Sequence, residues 1–377
     1  MRIYFDNAST TPLHPDVLET MCSVLAEDYG NPSSIHQHGR KARSIIEQAR
    51  KSVASIIQAS ISEIFFTSCA TEANNMIIKN CVQDLGIKRI ISTPTEHHCI
   101  LHSLGYLSKK GSCDVVLLDV DAFGLVNLNQ LETVLQASTV PTLITIMHGN
   151  NEIGTMAPIR IIGGICRQYG ALFHCDTVQT IGKYPINVQD DHIDFLSGSA
   201  HKFHGPKGAG FAFISNEHII SPYIHGGAQE RNMRAGTENV AGIAGLAKAL
   251  EISTVNMETN YAKILALRNK FKTGLSTTLD DIKYNGNQDD NFMAHVLSVS
   301  FPPGPKAEML VMNLDIAGIS ASSGSACTSG IEEDSHVLQA IGHRKDRKTI
   351  RFSFSAFNTE EEVIMTVEKL KSMTKYH

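Results

Sequence analysis

The 377-residue sequence has no strong excess of one charge: 33 Lys and Arg stand against 38 Asp and Glu, a formal net charge of −5. That balance excludes the broad basic surface that nucleic acid or anionic lipid requires. The single basic run, residues 343–348, is short and interrupted by Asp346, and it reads as a solvated loop. No apolar run is long enough to span a bilayer, and residues 1–7 contain neither an apolar secretory stretch nor an Arg/Ser-rich leader. A cytoplasmic protein with no membrane and no direct nucleic-acid partner is therefore expected, and the glycosylation sequon at Asn7 is discounted. Eight cysteines (22, 69, 81, 99, 113, 166, 175 and 327) include no C-x-x-C pair and no cluster with histidines, which excludes a zinc site and a disulfide framework. Most read as small buried hydrophobes. Gly205, Gly208 and Gly210 follow no G-x-G-x-x-G register, which argues against a dinucleotide enzyme. Internal repeats and low-complexity tracts are also missing.

What is present is an ordinary enzyme-like composition, 42% hydrophobic and 19% charged, over a length too great for one core. Short β-rich runs alternate with helical or loop segments between about residues 60 and 215: 64–67, 89–92, 115–118, 143–147, 171–175, 193–197 and 210–214. This pattern predicts an α/β fold with a mainly parallel central sheet and helices on both faces. Helical spacing follows from Ala241 to about Thr278, then strands at 295–301 and 350–354, a helix at 306–314, and a last helix begun by a Thr359–Glu362 capping box. The expected organisation is a large domain over 13–255 and a smaller α+β domain formed by 1–12 and 256–377.

Ligands in open parallel sheets bind beyond the carboxyl ends of the strands. Polar clusters fall at those positions: Ser68 to Thr71, Thr95 to His97, Asn150-Asn151, Asp176 and His201-Lys202. Lys202, among small and hydroxyl residues, fits a desolvated amine competent for Schiff-base chemistry, although taken alone a solvated loop lysine is the better reading. Asp176 closes a buried-looking strand and needs a cationic partner such as a protonated pyridine nitrogen, or else caps the next turn. A helix beginning near Thr71 offers exposed amides to an anion, although plain N-capping accounts for the same residues. Jointly, Thr71, Asp176 and Lys202 supply anchors for a phosphate, a ring nitrogen and an aldehyde. His97 is placed to stack on a flat ring and move protons. Cys327 sits among small residues from Ile319 to Gly330, which suits an exposed loop and a reactive thiol.

In these residues the chain resembles the NifS/IscS-type cysteine desulfurases of the class-V aminotransferase family, in the subgroup whose active cysteine lies in S-S-G-S-A-C-T, here 322–328. The likeness extends through residues 6–12, 30–34, 70–72, 150–154, 176–179, 201–202, 225–227, 236–239 and 350–353. It implies fold type I of the pyridoxal-phosphate-dependent transferases, a homodimer, and pyridoxal 5'-phosphate carried by Lys202. Ala70, Thr71, Ser199 and His201 would hold the phosphate, with Thr237 from the neighbouring subunit. Asp176 would pair with the pyridine nitrogen, Gln179 and Asn151 with the phenolic oxygen, and His97 would stack on the ring. Arg351 would grip the carboxylate of L-cysteine, and Cys327 would take its sulfur as a persulfide. No metal is required, although Cys327 could transiently ligate an iron–sulfur cluster. The persulfide would pass to an acceptor protein, either an iron–sulfur scaffold or a tRNA-thiolating enzyme. Three departures stand out: Cys69 replaces the usual phosphate-loop glycine, Ser355-Ala356 replaces Gly-Arg, and Ala228 ends the His-Gly-Gly-Gly motif. Iron–sulfur members also carry a C-terminal extension that this sequence does not show, which leaves the acceptor open. Two alternatives are another lyase or aminotransferase of the same fold, selenocysteine lyase included, and a silent sulfur-transfer scaffold.

Overall fold

The computed structural model describes residues 2–323 and 335–374. The chain opens with a two-residue strand, β1 (Ile3–Tyr4), and two helices, α1 (Pro15–Glu27) and α2 (Gln37–Ile57). It then alternates as the hydrophobic pattern predicts: β2 (Ile64–Thr67), α3 (Ala70–Asp84), β3 (Arg89–Ser92), α4 (His98–Lys109), β4 (Asp114–Leu117), α5 (Leu128–Gln136), β5 (Thr142–Thr145), α6 (Ile159–Gln168), β6 (Leu172–Asp176), β7 (Phe195–Ser199) and β8 (Gly210–Ile214). These seven strands form one sheet in the order β2-β8-β7-β6-β5-β3-β4. Pairings from β4 through β7 are parallel, and only β8 runs against its neighbours. Successive side chains point to opposite faces. Phe66, Ile91, Ile144, Phe173 and Phe211 pack with α2, α6 and the later helix α7 (Val240–Val255). Phe65, Ile90, Leu143, Phe195 and Ala212 pack with α3 and α4. Both faces are thus covered, which is why the strands read as nearly continuous apolar runs.

The order of neighbours reverses at the β3/β5 junction, because the chain leaves β3 outward to β4 and then returns to build β5, β6 and β7 on the other side. Such a junction opens a crevice at the carboxyl edge. His97, Asn151 and Asp176 all follow strands bordering that edge.

A second core lies around the four-stranded antiparallel sheet β12-β13-β10-β9: β9 (Lys283–Asn285), β10 (Val296–Phe301), β12 (Ser322–Ser323) and β13 (Lys348–Ser353). Helices α8 (Met257–Thr278), α10 (Leu310–Ile316) and α12 (Glu360–Thr374) contribute Leu267, Phe271, Leu275, Leu310, Leu314, Val363 and Leu370 to this core. Phe271 stands against Phe352 with ring centroids 4.8 Å apart. β1 joins the same core through Ile3 and Phe5, and it pairs in parallel with β11 (Ile319–Ser320). The capping box of α12 forms as predicted: Thr359 N–H donates to Glu362 and Glu362 N–H to Thr359 Oγ1. The stretch from Ala241 to Thr278 is helical as expected and forms two helices, because Asn256 (φ −97°, ψ 11°) leaves helical geometry and its side chain donates to the carbonyl of Ile252. One helical expectation needs correction. The helix expected over 306–314 is broken at Met309, between α9 (Pro305–Glu308) and α10. A further short helix, α11 (His336–Ala340), follows residues 324–334.

Candidate active site

A cavity of about 360 Å³ opens at the carboxyl edge of the large sheet. Its lining includes Ala70, Thr71, His97, Asn151, Asp176, Gln179, Ser199, His201, Lys202 and Arg351, so all but two of the residues given a cofactor, substrate or catalytic role in the sequence meet there, whereas Ser68, Thr95, Glu96 and Asn150 of the polar clusters do not line it. Thr237 is exposed and lies elsewhere, against Ser68 and Gly208. Cys327 lies outside the described residues.

The end of β6 places Asp176 on the floor, 6% exposed. One carboxylate oxygen accepts from Asn74 Nδ2 at 2.8 Å and the other from Val178 N–H at 3.0 Å. Both of those partners are neutral, and among the described residues no cation lies within ion-pair distance. The second bond is the turn-capping role weighed from sequence, so Asp176 makes it and still faces the cavity. A buried carboxylate so supported fits a cationic ring nitrogen.

Opposite, α3 starts at Ala70, and Cys69 at its N-cap makes no side-chain capping bond. First-turn amides without a side-chain cap, with Thr71 beside them, make a place for an anion. Cys69 has φ −172°, extended backbone that any residue adopts, so its replacement of glycine introduces no backbone strain. Glycine is instead demanded at Gly210, where a Cβ would stand 2.8 Å from the Cys69 backbone. That close approach seats the start of β8 against the start of α3.

Lys202 follows β7 in a short 3₁₀ turn, and its Nζ donates to the carbonyls of Ala8 and Ser9, both at 2.7 Å. Neighbouring His201 contacts Thr10 Oγ1 at 3.2 Å, and burial assisted by Lys202 pushes its pKa down to about 4. His97 caps α4: its Nδ1 accepts from Cys99 N–H at 3.2 Å and lies 3.1 Å from Cys99 Sγ. With Nδ1 an acceptor, the neutral ring carries its proton on Nε2. Burial lowers the pKa of His97, which keeps it neutral.

The second core supplies the remaining wall. Arg351 on β13 donates from NH1 to the Asn151 carbonyl at 2.9 Å and from NH2 to Asp6 Oδ1 at 2.9 Å and Ser9 Oγ at 2.6 Å. Its Nε is buried without a partner. Asp6 Oδ1 also accepts from Ser9 and, at 2.8 Å, from Ser322 on β12. His336 Nε2 donates to the Glu96 carbonyl at 2.8 Å, and the ring faces His98 across 4.5 Å between ring centroids.

Several of these residues escaped the sequence reading. His98 and His336 border the cavity without a motif of their own, and so do Ala8, Ser9 and Glu152, which lie in the stretches 6–12 and 150–154 of the family likeness but carry no assigned role there. Cys99, taken as core filler, also lines it, with its thiol pushed up to about 12 by burial and therefore protonated. Its position two residues after His97, at a helix start, was the available signal. Among the described residues no group of three or more His, Cys, Asp or Glu side chains is arranged to hold a metal ion, and no helix is long and apolar enough to cross a membrane.

A covered parallel sheet with a lysine, an aspartate and an anion-binding helix start at one carboxyl-edge cavity defines a class, and the sequence comparison names it. Residues 3–365 match the aminotransferase class-V model, and the chain belongs to that family. Within it the chain stands with the NifS/IscS-type cysteine desulfurases. It is 42% identical to the putative cysteine desulfurase IscS 1 of Bacillus subtilis and 41% identical to cysteine desulfurase IscS of Dictyoglomus turgidum. The alignments cover 99% of this chain in both cases, and 99% and 96% of those proteins. A solved NifS-like protein superposes with a TM-score of 0.91 at 39% identity, covering 99% of both chains. A structure described as SspA in complex with cysteine superposes at 0.81 and 32% identity, over 95% of this chain and all of that one. The fold is accordingly fold type I of the pyridoxal-phosphate-dependent transferases.

Proposed function

We propose that this chain is a pyridoxal-phosphate-dependent cysteine desulfurase that converts L-cysteine to L-alanine and leaves the sulfur as a persulfide on Cys327. The observation that carries the reading is the convergence of Lys202, a buried Asp176 with only neutral partners, and the α3 start on one cavity, in a chain about 40% identical end to end to cysteine desulfurases. These three features fit the aldehyde, ring nitrogen and phosphate of the cofactor. Ala70, Thr71, Ser199 and His201 hold the phosphate, completed by Thr237 of a second subunit in a homodimer; the exposure of Thr237 in a single chain accords with that role. Gln179 and Asn151 face the phenolic oxygen, and His97 covers the ring. Residues 13–255 act as the cofactor domain, and 1–12 with 256–377 as the domain that presents Arg351 and Cys327.

When bound, the cofactor supplies an electron sink for the substrate's α-carbon. Lys202 Nζ holds the cofactor and, once released, takes the α-proton. Arg351 orients the substrate carboxylate, which competes with Asp6 for NH2 and finds the unpartnered Nε beside it. His97 offers Nε2–H as a proton donor within the cavity. In the net reaction the Cys327 thiol gains the sulfur as a new S–S bond, the substrate C–S bond breaks, and a proton replaces sulfur on the carbon of alanine. The persulfide then passes to an acceptor, an iron–sulfur scaffold or a tRNA-thiolating enzyme.

The decisive measurement is alanine formation from L-cysteine together with the visible absorption of the purified protein. Wild type is expected to be yellow and active. Lys202→Ala should lose both colour and turnover, and Cys327→Ala should keep the colour and lose at least about 100-fold in alanine formation, as expected when a covalent nucleophile is removed. Wild-type rates in Cys327→Ala would instead identify a different lyase of this fold, and a colourless, inert wild type a scaffold.

A further inference from the structure

Behind the active-site cavity, on the far side of Gln179, lies a group of buried polar side chains to which the proposed reaction assigns no role. Residues 177–184 form successive turns closed by Ile181 N–H to Thr177 O and Tyr184 N–H to Thr180 O, with Gly182 at φ 74° between Gln179 and Lys183. Both reach His295, which precedes β10: Lys183 Nζ stands 3.2 Å and Gln179 Oε1 3.4 Å from the same atom, His295 Nε2. Lys183 also borders two further cavities, of about 50 and 570 Å³, on the side away from Lys202. Among the described residues it has no carboxylate within ion-pair distance; Lys202, His201, His204 and His295 are the charged or titratable groups nearest it, with Arg351 beyond His295, and His148, Arg160, Tyr184, Glu258, Tyr261 and Asp290 share the cavity linings with it.

We propose that Lys183 and His295 are a positioning pair that controls how Gln179 is presented to the active-site cavity. Gln179 Nε2 donates to the Ala8 carbonyl at 2.9 Å, which fixes the amide so that Oε1 turns toward His295. A single ring nitrogen then faces both Oε1 and the lysine. An ammonium on Lys183 donates to an unprotonated Nε2, and Gln179 Oε1 is left facing a lone pair. A neutral amine on Lys183 lets Nε2 carry the ring proton and donate it to Oε1, so the amide is held at both ends and its second N–H stays aimed into the cavity. Burial, with Lys202 adding to it, brings the Lys183 pKa down to about 7, so both arrangements are accessible near neutrality. The same burial holds His295 neutral throughout.

This rests on the reading of Gln179 as a cofactor-facing residue, and the test separates the two. In the cofactor-free protein with ¹⁵N-labelled histidine, the His295 Nε2 resonance is followed from pH 5.5 to 9. The expected result is a change from unprotonated to protonated Nε2 with a midpoint near 7 as pH rises, abolished in Lys183→Met. A single tautomer across that range in wild type overturns the proposal, as does an unchanged transition in Lys183→Met. In the cofactor-loaded protein, Lys183→Met and His295→Asn should each move the pH midpoint of the visible absorption band by about half a unit, the equivalent of one net hydrogen bond. An unmoved midpoint overturns the link to Gln179. A wild type without visible absorption sinks the cofactor reading and leaves the tautomer measurement standing.

Discussion

The two walls of the active-site cavity are built differently. The floor and one wall come from the seven-stranded sheet, where Thr71, His97, Asp176 and Lys202 each sit within a few residues of a strand end and inherit their position from a buried parallel ladder. The other wall comes from the second core, where Asp6, Ser9, Arg351 and His336 are drawn from opposite ends of the chain and tied by side-chain bonds. The contrast teaches that, under the proposed function, cofactor anchorage would depend on the sheet, whereas substrate recognition would depend on how the second core is seated against it.

Substitutions on the two walls should therefore fail in different ways. The largest effect is expected for Asp176→Asn. The fold tolerates it, because Asn74 has an unpartnered Oδ1 and can turn its amide to accept from the new side chain. Loss of a charge-assisted contact to the ring should lower kcat by roughly 100-fold and weaken cofactor retention, read by turnover and by absorbance after dialysis. Next, Arg351→Lys keeps a charge but loses the planar fork, and KM for cysteine should rise by about 10-fold with colour and cofactor retention unchanged. An equal loss of cofactor would erase the distinction between the walls. Smaller still, Asp6→Asn leaves Arg351 paired with Ser9 and Asn151 and should change KM by only about 3-fold, within the range of one neutral-for-charged hydrogen bond.

The same contrast extends to pH. His148, His201 and His204 are pushed down to about 4, and His174 to about 3, chiefly by burial. The unfolded chain binds protons at these sites from about pH 6.5 downward and the folded chain does not, so the protein should lose stability as pH falls from about 6.5 to 4. Thermal melts across that interval should show a falling Tm. His148→Asn should flatten the fall, since its ring is buried with an unpartnered Nδ1. A Tm unchanged between pH 6.5 and 4 would contradict this assignment.

Much of the sheet wall was legible in the sequence because its determinants are local. A buried apolar run fixes a strand, and the polar residue that ends it lies at the carboxyl edge whatever the rest of the chain does. The strands predicted at 64–67, 89–92 and 210–214 coincide with those formed. Helix breaks were less legible. Asn256 and Met309 leave helical geometry where the hydrophobic spacing runs on, at exposed positions that periodicity does not mark; at Asn256 the side chain donates to the Ile252 carbonyl.

By itself the sequence determined the alternation of strands and helices and the family, and it singled out Lys202, Asp176, His97 and Arg351, which meet at one cavity. Only the tertiary structure decided that Ala8 and Ser9 receive Lys202, that Asp6 holds the Arg351 fork, and that Lys183 and Gln179 meet at one nitrogen of His295. The physical reason is range. Periodicity and strand-end chemistry act over a few residues, whereas these contacts join atoms up to 345 positions apart and arise only once both cores have formed.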